Sequence, residues 1–355
     1  MRGGRVVCKL SISWGEFLPL RSLKMLILLV FCYQQGGKFI ASIILPLRGI
    51  FAMISRLVMD SFKKIVVIGA GTMGQGIAAH LANSSRQVVL LDLKGNGSPN
   101  QIAERALDII KKSDPPLLVE RSRLDCIKPG NLTDDFDEMK DADWIIEAVV
   151  ERIDIKHQLY AKIDQVRSSS SIVSSNTSTI PLSVLTSEMP ESMKSDFCIT
   201  HFFNPVRFMR LLEIVKTPEF DETKMDGLLD FCQKELGKGI VICNDTPGFI
   251  GNRIGVYAMQ VAMYEALDRG LPVEIADALF GRPLGIPKTG VFGLYDLIGI
   301  DLMKDVLASF KKELQPEDPF MDVVKPHPVV EALLDKGYTG NKGPGGFYEM
   351  KIVDG

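Results

Sequence analysis

The sequence predicts an α/β protein: a doubly wound, mostly parallel sheet followed by a smaller all-helical part. Three observations carry this reading. Short β-branched runs alternate with helical patterns from Lys64 onward, a glycine-rich turn joins the first strand to the first helix, and the strand pattern ceases near Asp245-Thr246-Pro247-Gly248. Buried strands alternating with helices imply parallel strands joined by helical crossovers.

The elements follow in order. Ile65-Val66-Val67-Ile68 ends in glycine and is read as a buried strand. Ile77, Ala78 and Leu81 mark one face of a helix over 74–84, and a second strand over 88–91 closes at Asp92. A helix over 102–112 is stopped by Asp114-Pro115-Pro116. A strand over 144–150, a helix over 153–166, and strands over 171–174, 197–203, 211–215 and 240–243 complete the sheet. Helices are then expected over 249–269, 273–280, 295–314 and 329–336. The domain boundary is placed near Asp245, giving 61–244 and 245–355.

Residues 1–60 differ from the rest. Their apolar stretches, 25–33 and 39–58, are interrupted by Gln34-Gln35-Gly36-Gly37-Lys38, Pro46 and Arg48. Neither supplies the ~20 clean apolar residues of a membrane helix, so no stable membrane insertion is expected. Arg2, Arg5, Lys9, Arg21 and Lys24, opposed only by Glu16, have the charge of a targeting segment. The expectation is an over-extended start, with Met53 or Met59 as initiator and residues 1–60 outside the fold.

Of the 355 residues, 46% are hydrophobic and 24% charged, and the formal net charge of −3 gives no electrostatic reason for a nucleic-acid partner. Cys8, Cys32, Cys126, Cys198, Cys232 and Cys243 form no paired motif. They are read as reduced thiols of a cytoplasmic protein, with no metal site.

In Gly69-Ala70-Gly71-Thr72-Met73-Gly74 each glycine has a physical task. The first permits the tight turn, the second lets backbone approach a pyrophosphate, and the third allows close helix–strand packing. The helix N-terminus offers unpaired amides to the phosphates. Asp92, ending the second strand, is suited to ribose hydroxyls and repels a 2′-phosphate, which favours NAD over NADP; Lys94 softens that preference. The pattern is that of a Rossmann-type NAD-binding domain.

Thr200-His201-Phe202-Phe203-Asn204-Pro205 puts a histidine at the end of an apolar strand. Glu213, the Ser178 hydroxyl of Ser175-Asn176-Thr177-Ser178 and a nearby amide make it a candidate for proton transfer. Plainer readings stand beside this one: a satisfied core histidine, a sheet-edge charge at Glu213, a helix cap at Ser178, a solvated polar position at Asn252. His80, His157 and His327 are read as structural or exposed.

Together these motifs, with Glu147-Ala148-Val149-Val150-Glu151, Asp245-Thr246-Pro247-Gly248-Phe249-Ile250-Gly251-Asn252-Arg253 and Lys342-Gly343-Pro344-Gly345-Gly346-Phe347-Tyr348, resemble the L-3-hydroxyacyl-CoA dehydrogenase family of fatty-acid β-oxidation. The resemblance covers 64–350. It implies that His201 is the general base at the substrate's 3-hydroxyl and that Glu213 orients it. By the same resemblance Ser178 and Asn252 bind the reacting end of the substrate, while Glu151, Lys156, Ser178, Asn204 and Lys342 contact NAD. An acyl-CoA substrate and a homodimer, or association with other β-oxidation components, are implied as well.

The segment 92–126 is poor in basic residues, so coenzyme A contacts are not placed beyond Lys111 and Lys112 as candidates. Asp141-Ala142-Asp143-Trp144-Ile145-Ile146-Glu147 and Gly285-Ile286-Pro287-Lys288 are closer to long bacterial multifunctional members. The chain is therefore expected to be the dehydrogenase portion of such a protein, from a shortened or split reading frame. Two alternatives stay open: a dehydrogenase of a free hydroxy acid or sugar acid, and a catalytically inactive NAD-binding remnant.

Overall fold

In the computed structural model, which describes residues 62–285 and 289–349, the first strand is β1 (Lys64–Ile68). Its side chains alternate between two apolar layers, Ile65 and Val67 in one, Val66 and Ile68 in the other. A strand buried on both faces explains the unbroken β-branched run. The expectations for residues 1–60, including Cys8 and Cys32, lie outside the described residues.

The chain continues through α1 (Thr72–Asn83), β2 (Gln87–Asp92), α2 (Gln101–Lys112), β3 (Ile127–Asn131), β4 (Trp144–Glu147), α3 (Ile153–Val166) and β5 (Ile172–Ser175). Short helices α4 (Leu182–Leu185) and α5 (Glu191–Lys194) precede β6 (Phe197–Phe202), β7 (Leu211–Lys216), α6 (Glu222–Lys234) and β8 (Gly239–Ile242). The eight strands run in the order β3-β2-β1-β4-β5-β6-β7-β8. All neighbours are parallel except β6 and β7, which are antiparallel. The order reverses between β1 and β4, and a crevice for ligand opens beyond the carboxyl ends of strands at such a switch point.

Beyond the sheet come α7 (Gly251–Asp268), α8 (Val273–Leu279), α9 (Phe292–Ile298), α10 (Ile300–Glu313) and α11 (Pro328–Asp335). They enclose a third apolar cluster around Met263, Phe292, Tyr295, Met303, Phe310 and Phe320. No helix among the described residues is long and apolar enough to cross a membrane.

Several elements depart from the sequence reading, among them α4, α5 and α6, helices that were not expected. β3 was not expected, because Pro129 and Gly130 interrupt its pattern; it is an edge strand, where a proline is tolerated. The strand expected over 144–150 stops at Glu147, where the Val149 amide folds back to donate to Glu147 Oε1 at 2.8 Å. The single helix expected over 295–314 is two, α9 and α10, because Gly299 between them has φ of 109°, a conformation that ends one helix and starts the next.

Candidate active site

The glycine turn follows β1. Gly69, at φ of 103°, donates its amide to Leu91 O at 2.7 Å, which ties the turn to β2. A Cβ on Gly69 would stand 2.5 Å from Ala148 O, and one on Gly74 would overlap Gly69 O, so β1, β4 and α1 meet only because these positions are glycine. Gly71 is different: nothing lies within 4 Å of where its Cβ would be. Its backbone borders open space at the start of α1, and that is the fit a pyrophosphate requires. The Asp92 carboxylate accepts from the Ala70 amide at 2.6 Å and from the Leu93 amide at 2.6 Å, holding turn and strand end together. Gly69, Gly71, Asp92, Val149, Val150 and Lys162 border a cavity of about 470 Å³. Lys94 pairs with Asp134 at 2.9 Å, which spends its charge away from Asp92.

A second cavity of about 340 Å³ lies against the first; Ala148 and Val149 line both. His201 enters it from the end of β6. Glu213 sits directly opposite on β7, with His201 Nδ1 2.7 Å from Glu213 Oε2. His201 is 5% exposed and Glu213 fully buried. The other carboxylate oxygen, Oε1, accepts the amides of Ile250 at 2.9 Å and Gly251 at 2.6 Å. A turn with two positive-φ residues, Gly248 at 72° and Phe249 at 46°, aims those amides at Glu213. One carboxylate therefore fixes both the imidazole and the start of α7, whose first turn carries Asn252 into the cavity. Burial pushes the Glu213 carboxyl up, but the His201 hydrogen bond and the two amides outweigh it, and the group is held below its ordinary value.

Glu147 is the buried counterpart on β4. It accepts from Lys156 Nζ at 2.7 Å, the Tyr160 hydroxyl at 2.6 Å and the Ser175 hydroxyl at 2.7 Å. Lys156 reaches on to Glu151 Oε2 at 3.2 Å, and Glu151 Oε1 accepts the Thr177 hydroxyl at 2.8 Å and the Ser178 amide at 3.0 Å. A relay of charges thus runs from the middle of the sheet to the backbone of Ser178.

Of the residues singled out in the sequence, Met73, Glu151, Lys156, Ser178, His201, Asn204 and Asn252 line one cavity, and Gly69, Gly71 and Asp92 the other. Ala70 and Thr72 belong to the turn and the first helical position. Lys342 lines neither cavity and pairs with Asp301 at 2.7 Å. Ser178 is not a cap: the α4 amides of Leu182 and Ser183 are held by Asp245 at 2.7 and 2.9 Å. His80 bonds Leu236 O, His157 bonds Val184 O, and His327 accepts from the Val329 amide at the start of α11. Sequence reasoning missed Glu147, Tyr160, Ser175 and Asn176, whose Oδ1 accepts the Phe202 amide at 2.9 Å. A signal existed: an acid ends an apolar strand, and Lys156 and Tyr160 stand four apart on one helix face.

The family model for the 3-hydroxyacyl-CoA dehydrogenase NAD binding domain matches residues 64–246, and that for the C-terminal domain matches 248–350. The chain belongs to the 3-hydroxyacyl-CoA dehydrogenase family. NAD is the cofactor of that family's first domain. The hydroxyacyl-coenzyme A dehydrogenase, mitochondrial, of Mus musculus is 34% identical over 300 residues, 81% of this chain and 91% of its own. A Rickettsia felis protein carrying the provisional name of a fatty acid oxidation complex trifunctional enzyme is 42% identical over 298 residues, 83% of this chain. The chain spans only 41% of that relative's length. Among solved structures, (S)-3-hydroxybutyryl-CoA dehydrogenase from Ralstonia eutropha is 30% identical with a TM-score of 0.65, covering 82% of this chain and all of its own.

Proposed function

We propose that the chain oxidises (S)-3-hydroxyacyl-CoA to 3-oxoacyl-CoA in fatty-acid β-oxidation, with NAD bound at the glycine turn. The observation that carries this reading is the His201–Glu213 pair at 2.7 Å, inside a cavity shared with Ser178 and Asn252 and adjoining the nucleotide cleft. With Nδ1 donating to Glu213, Nε2 is the ring nitrogen left to accept the proton of the 3-hydroxyl. The carboxylate then stabilises the charged imidazole. Ser178 and Asn252 hold the reacting end of the substrate, and Glu151, Lys156 and Asn204 border the nicotinamide side. Bound NAD supplies the hydride acceptor.

The same reading assigns 61–244 to cofactor binding and 245–355 to substrate binding and assembly, with 1–60 as an extension. It also makes the protein cytoplasmic. Ile250, Ile254 and Tyr257 leave exposed apolar surface on and beside α7, which suits a homodimer or a further β-oxidation component. Light scattering that finds a stable monomer at micromolar concentration counts against the dimer.

The test is NADH consumption by the full chain with acetoacetyl-CoA. Saturable activity with the thioester and none with free 3-hydroxy or sugar acids supports the proposal. Activity only with free acids, or NADH binding without turnover, overturns it.

A further inference from the structure

The helical part holds a cavity of about 240 Å³ that shares no lining residue with the His201 cavity. Met263 from α7, Met303 and Leu307 from α10 and Val330 from α11 give it apolar walls. The polar groups inside already have partners. Gln260, 1% exposed, accepts from the Tyr295 hydroxyl at 2.5 Å and donates to Val323 O at 3.3 Å, while the Tyr264 hydroxyl donates to Lys325 O. Water inside would therefore find few free groups to bond, and an apolar occupant is favoured. The rim has the opposite character, with the exposed Lys304, Lys311 and Lys325 set against one acid, Glu331. Glu331 pairs with Lys304 at 3.2 Å. Lys311 and Lys325 have no carboxylate partner among the described residues; Lys325 lies over the Tyr264 ring at 5.2 Å.

We infer that this cavity is a second binding site, for an anion with a straight apolar tail, the chemistry of a medium-chain fatty carboxylate. The tail fills the space between α7, α10 and α11, and the carboxylate stays at the rim, where Lys311 and Lys325 donate charge-assisted hydrogen bonds. Size sets the length. An apolar cavity of about 150 Å³ holds a benzene ring, so one of about 240 Å³ holds about ten carbon atoms. Each methylene withdrawn from water strengthens binding roughly fourfold, an advantage that separates a ten-carbon tail from a six-carbon one. The inference stands apart from the dehydrogenase reading, and its test needs no turnover.

The experiment is equilibrium dialysis of the full chain with decanoate below its micelle concentration, repeated with hexanoate, decanol and decylamine. Saturable one-to-one binding of decanoate is expected, at least tenfold tighter than that of the other three. Met303 also lines the space beside Ser178 and Asn252, so the blocking substitution is placed at Leu307, which does not. Leu307→Trp is expected to weaken decanoate binding at least tenfold. The double change Lys311→Glu and Lys325→Glu, at exposed positions where folding is not at stake, is expected to do the same. Thermal midpoints and NADH binding close to those of the unmodified chain show that the variants are folded. Acetoacetyl-CoA together with NAD should leave decanoate binding within about threefold. No saturable binding, binding unchanged by the double lysine change, decylamine bound as tightly as decanoate, or displacement by acetoacetyl-CoA overturns the inference.

Discussion

His201 and Glu213 face each other across the antiparallel β6–β7 ladder, in register, with Nδ1 and Oε2 2.7 Å apart. Cross-strand partners on one face have Cβ atoms about 5 Å apart, so the ladder itself delivers the pair without help from a loop. Because Glu213 also holds the first amides of α7, imidazole, carboxylate and Asn252 are set by one joint.

Turnover should depend on the pair as a unit. His201→Gln is expected to lower kcat by on the order of a hundredfold or more, the scale of general-base catalysis, while NADH affinity changes little. Glu213→Gln should also depress kcat. The double variant should be hardly slower than the worse single one; steady-state kinetics with acetoacetyl-CoA and NADH titrations check both. Near-normal turnover in His201→Gln would sink the mechanism.

Glu213 also links stability to pH. Its folded carboxyl lies below its ordinary value, so the unfolded chain takes up a proton first as pH falls. The stabilisation is complete above the ordinary carboxylate range and is lost as pH drops through the folded value. Urea midpoints measured from pH 7 to pH 3 should fall more steeply for the unmodified chain than for Glu213→Gln. Parallel curves would show that the joint contributes nothing through ionisation.

Asp92→Ala should raise KM for NADH and narrow the preference over NADPH. Two causes act together. The charge that repels a 2′-phosphate is gone, and the Ala70 amide loses its acceptor at 2.6 Å, loosening the turn. Equal use of both cofactors by the unmodified protein would contradict the role given to Asp92.

Lys238 gives a second pH signature. Its buried ammonium donates to Val206 O and to Met209 O at 2.8 Å, anchoring the loop that follows Asn204. Burial pushes the group down to about 8. Below that pH both states carry the proton and the folded state bears the full desolvation penalty. From about 8 towards the ordinary lysine value the unfolded chain holds more protons, so stability should rise with pH. Denaturant midpoints from pH 7 to pH 10 should show this gain in the unmodified chain and not in Lys238→Met, which should also be less stable at pH 7 by about 1–3 kcal/mol through two unpaired carbonyls.

Much of this was legible in the sequence because the signals were local. Gly69 and Gly74 are bound to one turn by sterics, with Gly71 between them bordering open space, and the alternation of β-branched runs with helical faces announces buried parallel strands. His201 and Glu213 were visible as residue types, but the register between them was not, since pairing depends on how β6 and β7 align rather than on spacing along the chain. β3 was hidden by Pro129, whose tolerance comes from its place at the sheet edge. Lys342 was carried over by resemblance, and its Asp301 partner lies on another element that no local pattern indicates. The Glu147 cluster was missed for the same reason: its donors come from α3 and β5, and only the fold assembles them.

That cluster bears on how the protein could change. Glu147 and Lys156 form a pair in which each charge exists in the interior only because the other does, with the exposed Glu151 reaching Lys156 from outside, and removing one member of a buried pair typically destabilises by about 3–5 kcal/mol. A single substitution at Glu147 or Lys156 strands a charge in the interior, whereas a paired replacement of Glu147 and Lys156 by uncharged side chains of similar volume does not. In a library randomised one position at a time these sites would look immutable. Randomised together, they should yield folded variants, and the two positions would have to travel through sequence space as a couple.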